Sequence, residues 1–145
     1  MMVSTKGRYA LRVMIELAGS PRDEYRPLKE MAERQQISMK YLEAIVALLV
    51  KAGFVDGMRG KGGGYRLTRE PREYNVWEIL ISTEGSLVPV SCLENGCEPC
   101  ERASSCATLP MWNHLNDLIR EYLESVSLSD LMEQARALQD QHPVI

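Results

Sequence analysis

Histidine is scarce in this 145-residue chain: there are two, and no nucleophile–base pairing is readable around either. No apolar stretch approaches the ~18–20 residues needed to cross a bilayer, and no charged-then-apolar leader opens the sequence. Internal repeats and low-complexity tracts are missing as well. Cysteine occurs in one place only, the stretch SCLENGCEPCERASSC from Ser91 to Cys106, which holds all four. Cations thin out along the chain: residues 1–75 carry 14 Lys+Arg against 9 Asp+Glu, residues 76–145 only 3 against 11. These shortages speak against an enzyme and against a membrane protein. They leave one compact domain, or a small one with an appended element, expected in the cytosol. There, clustered cysteines mean metal or redox chemistry more often than disulfides.

What is present suits a soluble core, with 45% hydrophobic and 26% charged residues. The basic first half points to nucleic acid. An overall pI near 5.5 does not oppose this, because binding follows the local patch rather than the sum.

Ser4 or Thr5 can cap a first helix to about Ala18, with Ala10, Leu11, Met14 and Leu17 on one face. Gly19, Ser20 and Pro21 stop it, and Arg22–Arg26 reads as loop. Pro27 suits the first turn of a short helix through Arg34. Ser38 is a natural N-cap for a third helix, Met39 to Ala52, and Gly53 supplies its left-handed stop. Two helices, a tight turn and a third helix outline a helix-turn-helix. The third helix sets Leu42, Ile45, Val46 and Leu49 toward a core, and Lys40, Glu43, Ala44, Ala47 and Lys51 on the opposite side. By itself such a side is an ordinary solvated face.

The next segment changes its meaning. Phe54-Val55 and Tyr65-Arg66-Leu67 read as short strands around Asp56–Gly64, a glycine-rich tip bearing Arg59 and Lys61. A hairpin after the third helix is a wing, and an Arg on a thin ribbon can enter a narrow minor groove. The alternatives are a plain hairpin turn and a phosphate-binding loop. The latter is discarded, because the G-x-x-x-x-G-K-S/T spacing is absent and a strand follows where a helix is needed.

Asn75 caps a fourth helix, Val76 to about Thr83, whose Trp77, Ile79 and Leu80 should pack on the reader domain. Thr108 and Pro110 start a long helix to about Val126, with Met111, Leu115, Leu118 and Tyr122 in a stripe that Trp112, Ile119 and Val126 widen. So wide a stripe is best covered by its copy in a second chain. Ser127 and Asp130 make a capping box for a last helix to about Gln139, expected to fold back onto the long one.

STKGRYA (Ser4–Ala10), ISMKYLE (Ile37–Glu43), RGKGGGY (Arg59–Tyr65), the cysteine loop and the Trp112 segment down to SLSDL (Ser127–Leu131) together resemble the winged-helix transcription regulators that include IscR, the iron–sulfur cluster assembly repressor, with NsrR and CymR as relatives. The resemblance covers nearly the whole chain. It implies a mostly α fold: a winged helix-turn-helix over residues 1–85, a cluster loop over 86–107, and a dimerisation helix with a C-terminal helix over 108–145. It also implies a cytoplasmic homodimer that sets two readers on double-stranded promoter DNA, as repressor or activator, with half-sites whole helical turns of ~10 bp apart. By position, Ser38, Lys40, Tyr41, Glu43 and Ala44 lie at the major-groove end, and Arg59 is the wing residue, with Lys61 beside it. Members often have Gln where Ala44 stands, so one bidentate base contact is lacking. Lys40 replaces a common Ser, which shifts the balance toward phosphate. Glu43 repels phosphate and accepts only from a cytosine amino group, so it is a candidate selectivity filter.

The cysteine spacing, C-x4-C-x2-C-x5-C, suits zinc, an iron–sulfur cluster or a thiol switch. A four-cysteine zinc site usually has two C-x-x-C knuckles, and this loop has one. The resemblance implies a cluster on Cys92, Cys100 and Cys106, with Cys97 extra. The fourth ligand stays open. Leu109 stands where IscR-like members have His, and Gly7-Arg8 where NsrR-like members have an acid. Cys97, Glu98 or Glu101 could serve, whereas His114 reads as a surface or packing residue. A 2Fe–2S cluster is the first expectation, with 4Fe–4S open. The alternatives are a nitric oxide or redox sensor of the same family, a winged-helix protein with structural zinc, a cluster-free CymR-like regulator, and an iron–sulfur carrier with no DNA role.

Overall fold

The structure, a computed structural model, describes residues 3–96, 98 and 100–141. In chain order it contains α1 (Thr5–Ala18), α2 (Leu28–Gln35), α3 (Met39–Lys51), β1 (Val55–Met58), β2 (Gly64–Leu67), α4 (Val76–Glu84), α5 (Leu109–Ser125) and α6 (Leu128–Gln141). Single 3-10 turns stand at Pro71–Glu73, Ser91–Leu93 and Ala103–Ser105. The expected class is observed: mostly helical, with one antiparallel hairpin.

Local chemistry sets the helix limits. Ser4 caps α1 by accepting from the Gly7 amide at 3.4 Å, and Asn75 caps α4 by accepting from the Glu78 amide at 2.9 Å. The capping box ahead of α6 is complete, with Ser127 Oγ accepting from the Asp130 amide at 3.0 Å and Asp130 Oδ2 from the Ser127 amide at 2.9 Å. Gly53, at φ +79, takes the left-handed position just past α3. The reversal between α2 and α3 falls on Gln36, the one non-glycine residue with positive φ among those described. Its amide returns to the Ala32 and Glu33 carbonyls and closes α2.

Ala10, Val13, Met14 and Leu17 of α1 pack with Met31, with Leu42, Ile45, Val46 and Leu49 of α3, and with Ile79 of α4. Each large apolar side chain shut away from water contributes about 1.5–3 kcal/mol before conformational entropy is subtracted. A second cluster of Val76, Leu80 and Leu87 joins α4 to the start of the cysteine loop, with Leu123 and Val126 from the end of α5 against it.

Two features depart from the sequence-based expectation. Arg26, read as loop, makes a one-residue bridge to Tyr65, its amide donating to the Tyr65 carbonyl at 2.8 Å and its carbonyl accepting at 2.9 Å. The wing therefore rests on a third backbone segment. The last helix does not fold back along α5. It crosses α1 and the turn at Pro71–Glu73, because Leu128 is wholly buried in the main core and its amide donates to the Tyr74 carbonyl at 3.0 Å. Tyr74, not anticipated, is the joint behind this: its buried hydroxyl donates to the Phe54 carbonyl at 2.7 Å and accepts from the Thr68 and Arg69 amides at 3.1 and 3.0 Å.

Candidate DNA interface and cysteine loop

The end of α3 expected to read DNA begins at Ser38, whose Oγ accepts from the Tyr41 amide at 3.1 Å. That bond satisfies one free helix N–H and leaves the hydroxyl hydrogen to donate outward. Ser38, Lys40, Glu43 and Ala44 are all exposed on one side of the helix. Tyr41 differs. It is half-buried, its ring edge-on to Tyr9 of α1 with centroids 6.1 Å apart, so it holds the first turn of α3 against the body of the domain.

The wing pairs Val55 with Leu67, Asp56 with Arg66, Gly57 with Tyr65 and Met58 with Gly64. Arg59 and Lys61 stand exposed at its tip, and neither forms an ion pair among the described residues. Gly64 is fixed by its surroundings: at φ +147, a Cβ there would lie 2.2 Å from the Arg26 carbonyl oxygen. The base of the wing is braced by residues that sequence reasoning missed. Tyr25 donates its hydroxyl to Asp56 at 3.2 Å, Arg66 lies 4.4 Å over the Tyr25 ring, and Arg66 reaches Asp56 at 3.5 Å. A contact made through one bridge residue leaves no periodicity to read.

The cysteine loop starts where Gly85, at φ +78, turns the chain out of α4. Leu87 anchors it, and then it runs on the surface: Cys92 and Cys100 are exposed, Cys106 is half-buried, and all three are free thiols. Cys97 lies outside the described residues. Cys106 stands at the start of α5 with its sulfur 3.4 Å from Thr108 Oγ1. Hydrogen bonds from the Thr108 side chain, the Thr108 backbone and the Leu109 backbone pull its thiol pKa below the ordinary value. The donor chemistry fits a thiolate-held iron or zinc centre: unpaired thiols on one exposed segment, one of them biased toward thiolate. Among the described residues, no three His, Cys, Asp or Glu side chains stand close enough to share one ion. Leu109 opens α5, and His114 is exposed on it.

Along α5, about 26 Å long at ~1.5 Å per residue, no side chain is fully buried. Met111, Leu115, Leu118 and Tyr122 are 53%, 38%, 47% and 67% exposed, and so form the apolar stripe that the heptad-like spacing predicts. The helix is tied to the reader through α4, where Arg120 lies 5.3 Å over the Trp77 ring. No helix among the described residues is long and apolar enough to cross a membrane.

A helix-turn-helix with an exposed polar edge on its third helix, followed by a cation-tipped hairpin, defines a winged-helix DNA-binding module. Comparison with known proteins narrows the class. The Rrf2 family profile, described as "Iron-dependent Transcriptional regulator", matches residues 3–134, and the chain belongs to that family. It is 37% identical over 132 residues to the HTH-type transcriptional regulator IscR of Aliivibrio salmonicida, covering 91% of this chain and 77% of that one. Among solved structures, IscR of T. potens matches with a TM-score of 0.74 at 35% identity, over 96% of this chain and 91% of that one. CymR, the global cysteine regulator of B. subtilis, matches with a TM-score of 0.75 at 36% identity, over 92% and 98%. The chain is thus an IscR-like DNA-binding transcription regulator and not an enzyme, as expected.

Proposed function

We propose that the chain works in the cytoplasm as a homodimeric regulator of promoters for iron–sulfur cluster assembly, with its DNA affinity set by an iron–sulfur cluster in the cysteine loop. Residues 1–85 form the reader, 86–107 the sensor loop, and 108–145 hold the dimerisation helix. Cys92, Cys100 and Cys106 hold the cluster, 2Fe–2S in the first instance, with Cys97 as the fourth ligand. A bound cluster supplies a centre whose presence depends on iron supply and oxidants. The protein does the rest. Ser38, Lys40, Glu43 and Ala44 meet the major groove, Tyr41 steadies their helix, and Arg59 and Lys61 meet the adjoining minor groove and backbone.

The observation that carries the proposal is the position of the loop. It is rooted on α4, which packs in the reader core, and it ends at the first turn of α5, whose exposed stripe invites a second copy. Whatever orders the loop therefore bears on the distance between two readers. The hydrogen bonds onto Cys106 from the Thr108 hydroxyl, and then from the Thr108 and Leu109 amides, favour the charged sulfur that a metal needs.

The test is anaerobic purification with iron and zinc counts and visible absorption, followed by DNA binding of wild type and Cys92→Ala. Coloured, iron-loaded protein is expected, with an affinity difference of about 5–150-fold for a coupling of ~1–3 kcal/mol. Colourless, iron-free protein, or equal affinity for the two forms, sinks the proposal. Stoichiometric zinc in its place supports a structural metal site.

A further inference from the structure

We propose that the cleft between α1, α2 and α6 binds a small organic acid carrying an apolar body, a ligand independent of the cysteine loop. The cleft measures about 770 Å³ and lies where α6 crosses the C-terminal half of α1 beside the end of α2. Volumes of about 300–1,000 Å³ are usual for small-molecule sites.

Its charge is unbalanced. Arg12, Arg26, Arg34 and Arg136 line it, against the single carboxylate of Glu16. That carboxylate is already engaged, ion-paired to Arg34 and accepting from Gln35 at 3.3 Å. Arg12 and Arg136 make no ion pair among the described residues. Arg26 has its Nε closed off from solvent with no acceptor, while its Nη2 leans on Glu30 at a loose 3.8 Å. Arg136 is notable by sequence as well, being one of only three cations after residue 75. Arg12 and Arg136, exposed and without an ion pair, present the guanidinium forks that an incoming carboxylate meets.

The rest of the wall is apolar. Ile15 and Met132 line the cleft, and Leu138 at its rim is 50% exposed. Inorganic phosphate would satisfy the arginines and leave that surface wet. An acid with a hydrocarbon body satisfies both. The site also touches the reader: Arg12 lies 5.1 Å over the Tyr9 ring, and Tyr9 stands edge-on to Tyr41 in the first turn of α3.

The test is isothermal titration of the full chain at fixed ionic strength with octanoate, octan-1-ol and inorganic phosphate. Two variants with unchanged melting serve as controls, Arg136→Glu and the cleft-filling Ala135→Trp; either one alone suffices. Octanoate is expected to saturate at one per chain, with octanol and phosphate each weaker by about ten-fold or more, as loss of a charge-assisted contact or of apolar cover implies. Both variants should lose octanoate binding by a similar factor. No saturable octanoate binding at millimolar concentration overturns the site. So does equal binding of octanol, equal binding of phosphate, or wild-type binding by the variants.

Discussion

The ring of Tyr9 in α1 meets the ring of Tyr41 in the first turn of α3 at 6.1 Å between centroids and 65° between planes. Tyr41 is the one member of the reading set whose side chain points inward. Under the proposed function its part is to hold the helix, while Ser38, Lys40, Glu43 and Ala44 are exposed to meet DNA. An edge-to-face pair contributes about 0.5–1.5 kcal/mol beyond burial. Denaturant titrations of Tyr9→Leu, Tyr41→Leu and the double variant should give a coupling energy in that range. Additive single effects would show that the rings do not act as a pair.

Arg59 and Gly64 separate two ways of losing the wing. Arg59 is an exposed cation, so Arg59→Ala should weaken promoter binding, lower the salt dependence by about one counterion, and leave the melting temperature alone. Gly64→Ala keeps the arginine but drives a methyl group into the Arg26 carbonyl oxygen, 2.2 Å away. It should weaken binding and lower the melting temperature together. Full DNA affinity in Gly64→Ala would mean that the wing docks without the Arg26 bridge.

Tyr74 tests how the turn ahead of α4 is held to the ends of α3 and the wing. Its hydroxyl serves three backbone groups, one carbonyl and two amides, in a buried site. Tyr74→Phe removes only the oxygen, and the abandoned groups should cost about 2–3 kcal/mol of unfolding free energy. Urea titration at constant m-value measures this, and a loss below 0.5 kcal/mol, the size of an ordinary surface change, would mean that water takes over the hydroxyl's place.

The Cys106 thiol should titrate below the usual cysteine range in metal-free protein, because Thr108 and the first amides of α5 stabilise its thiolate. Alkylation by iodoacetamide, followed residue by residue with mass spectrometry, should show Cys106 becoming reactive at lower pH in wild type than in Thr108→Val. The sign is fixed by the hydrogen bonds. They stabilise the anion, so removing the largest contributor moves the profile to higher pH. Superimposed profiles would refute the Thr108 contribution.

Much of this architecture was legible in the sequence because local rules and tertiary needs agree. Ser38, Gly53, Asn75 and the Ser127/Asp130 box each mark a helix end by side-chain chemistry that needs no partner outside the segment. Arg26 and Tyr74 escaped, since their work is done across the fold, through a single bridge and a single hydroxyl. The path of α6 departs from the expected one for the same reason. Leu128 could have met α5 or α1, and only the depth of the core beside Tyr74 decides between them. The cysteine positions name candidate ligands, but spacing alone does not bring thiols together in space.

The stripe on α5 is exposed along its whole length. Leu118 is 47% exposed in the middle of it, with Leu115 and Tyr122 one turn to either side and no cover among the described residues. Four large apolar side chains on one side of a helix that holds no fully buried residue are costly in water, and a second copy laid along them removes that cost on both sides at once. Leu118→Glu places two carboxylates near the two-fold axis of such a pair, where each loses solvation and repels the other. Sedimentation equilibrium should show wild type as a dimer and Leu118→Glu as a folded monomer, with circular dichroism unchanged because the residue adds little to the core of its own chain. The monomer should still bind a single half-site through Arg59, far more weakly than the dimer binds two, because linking two readers makes the second contact intramolecular. A Leu118→Glu protein that stays dimeric would place the interface elsewhere on the surface.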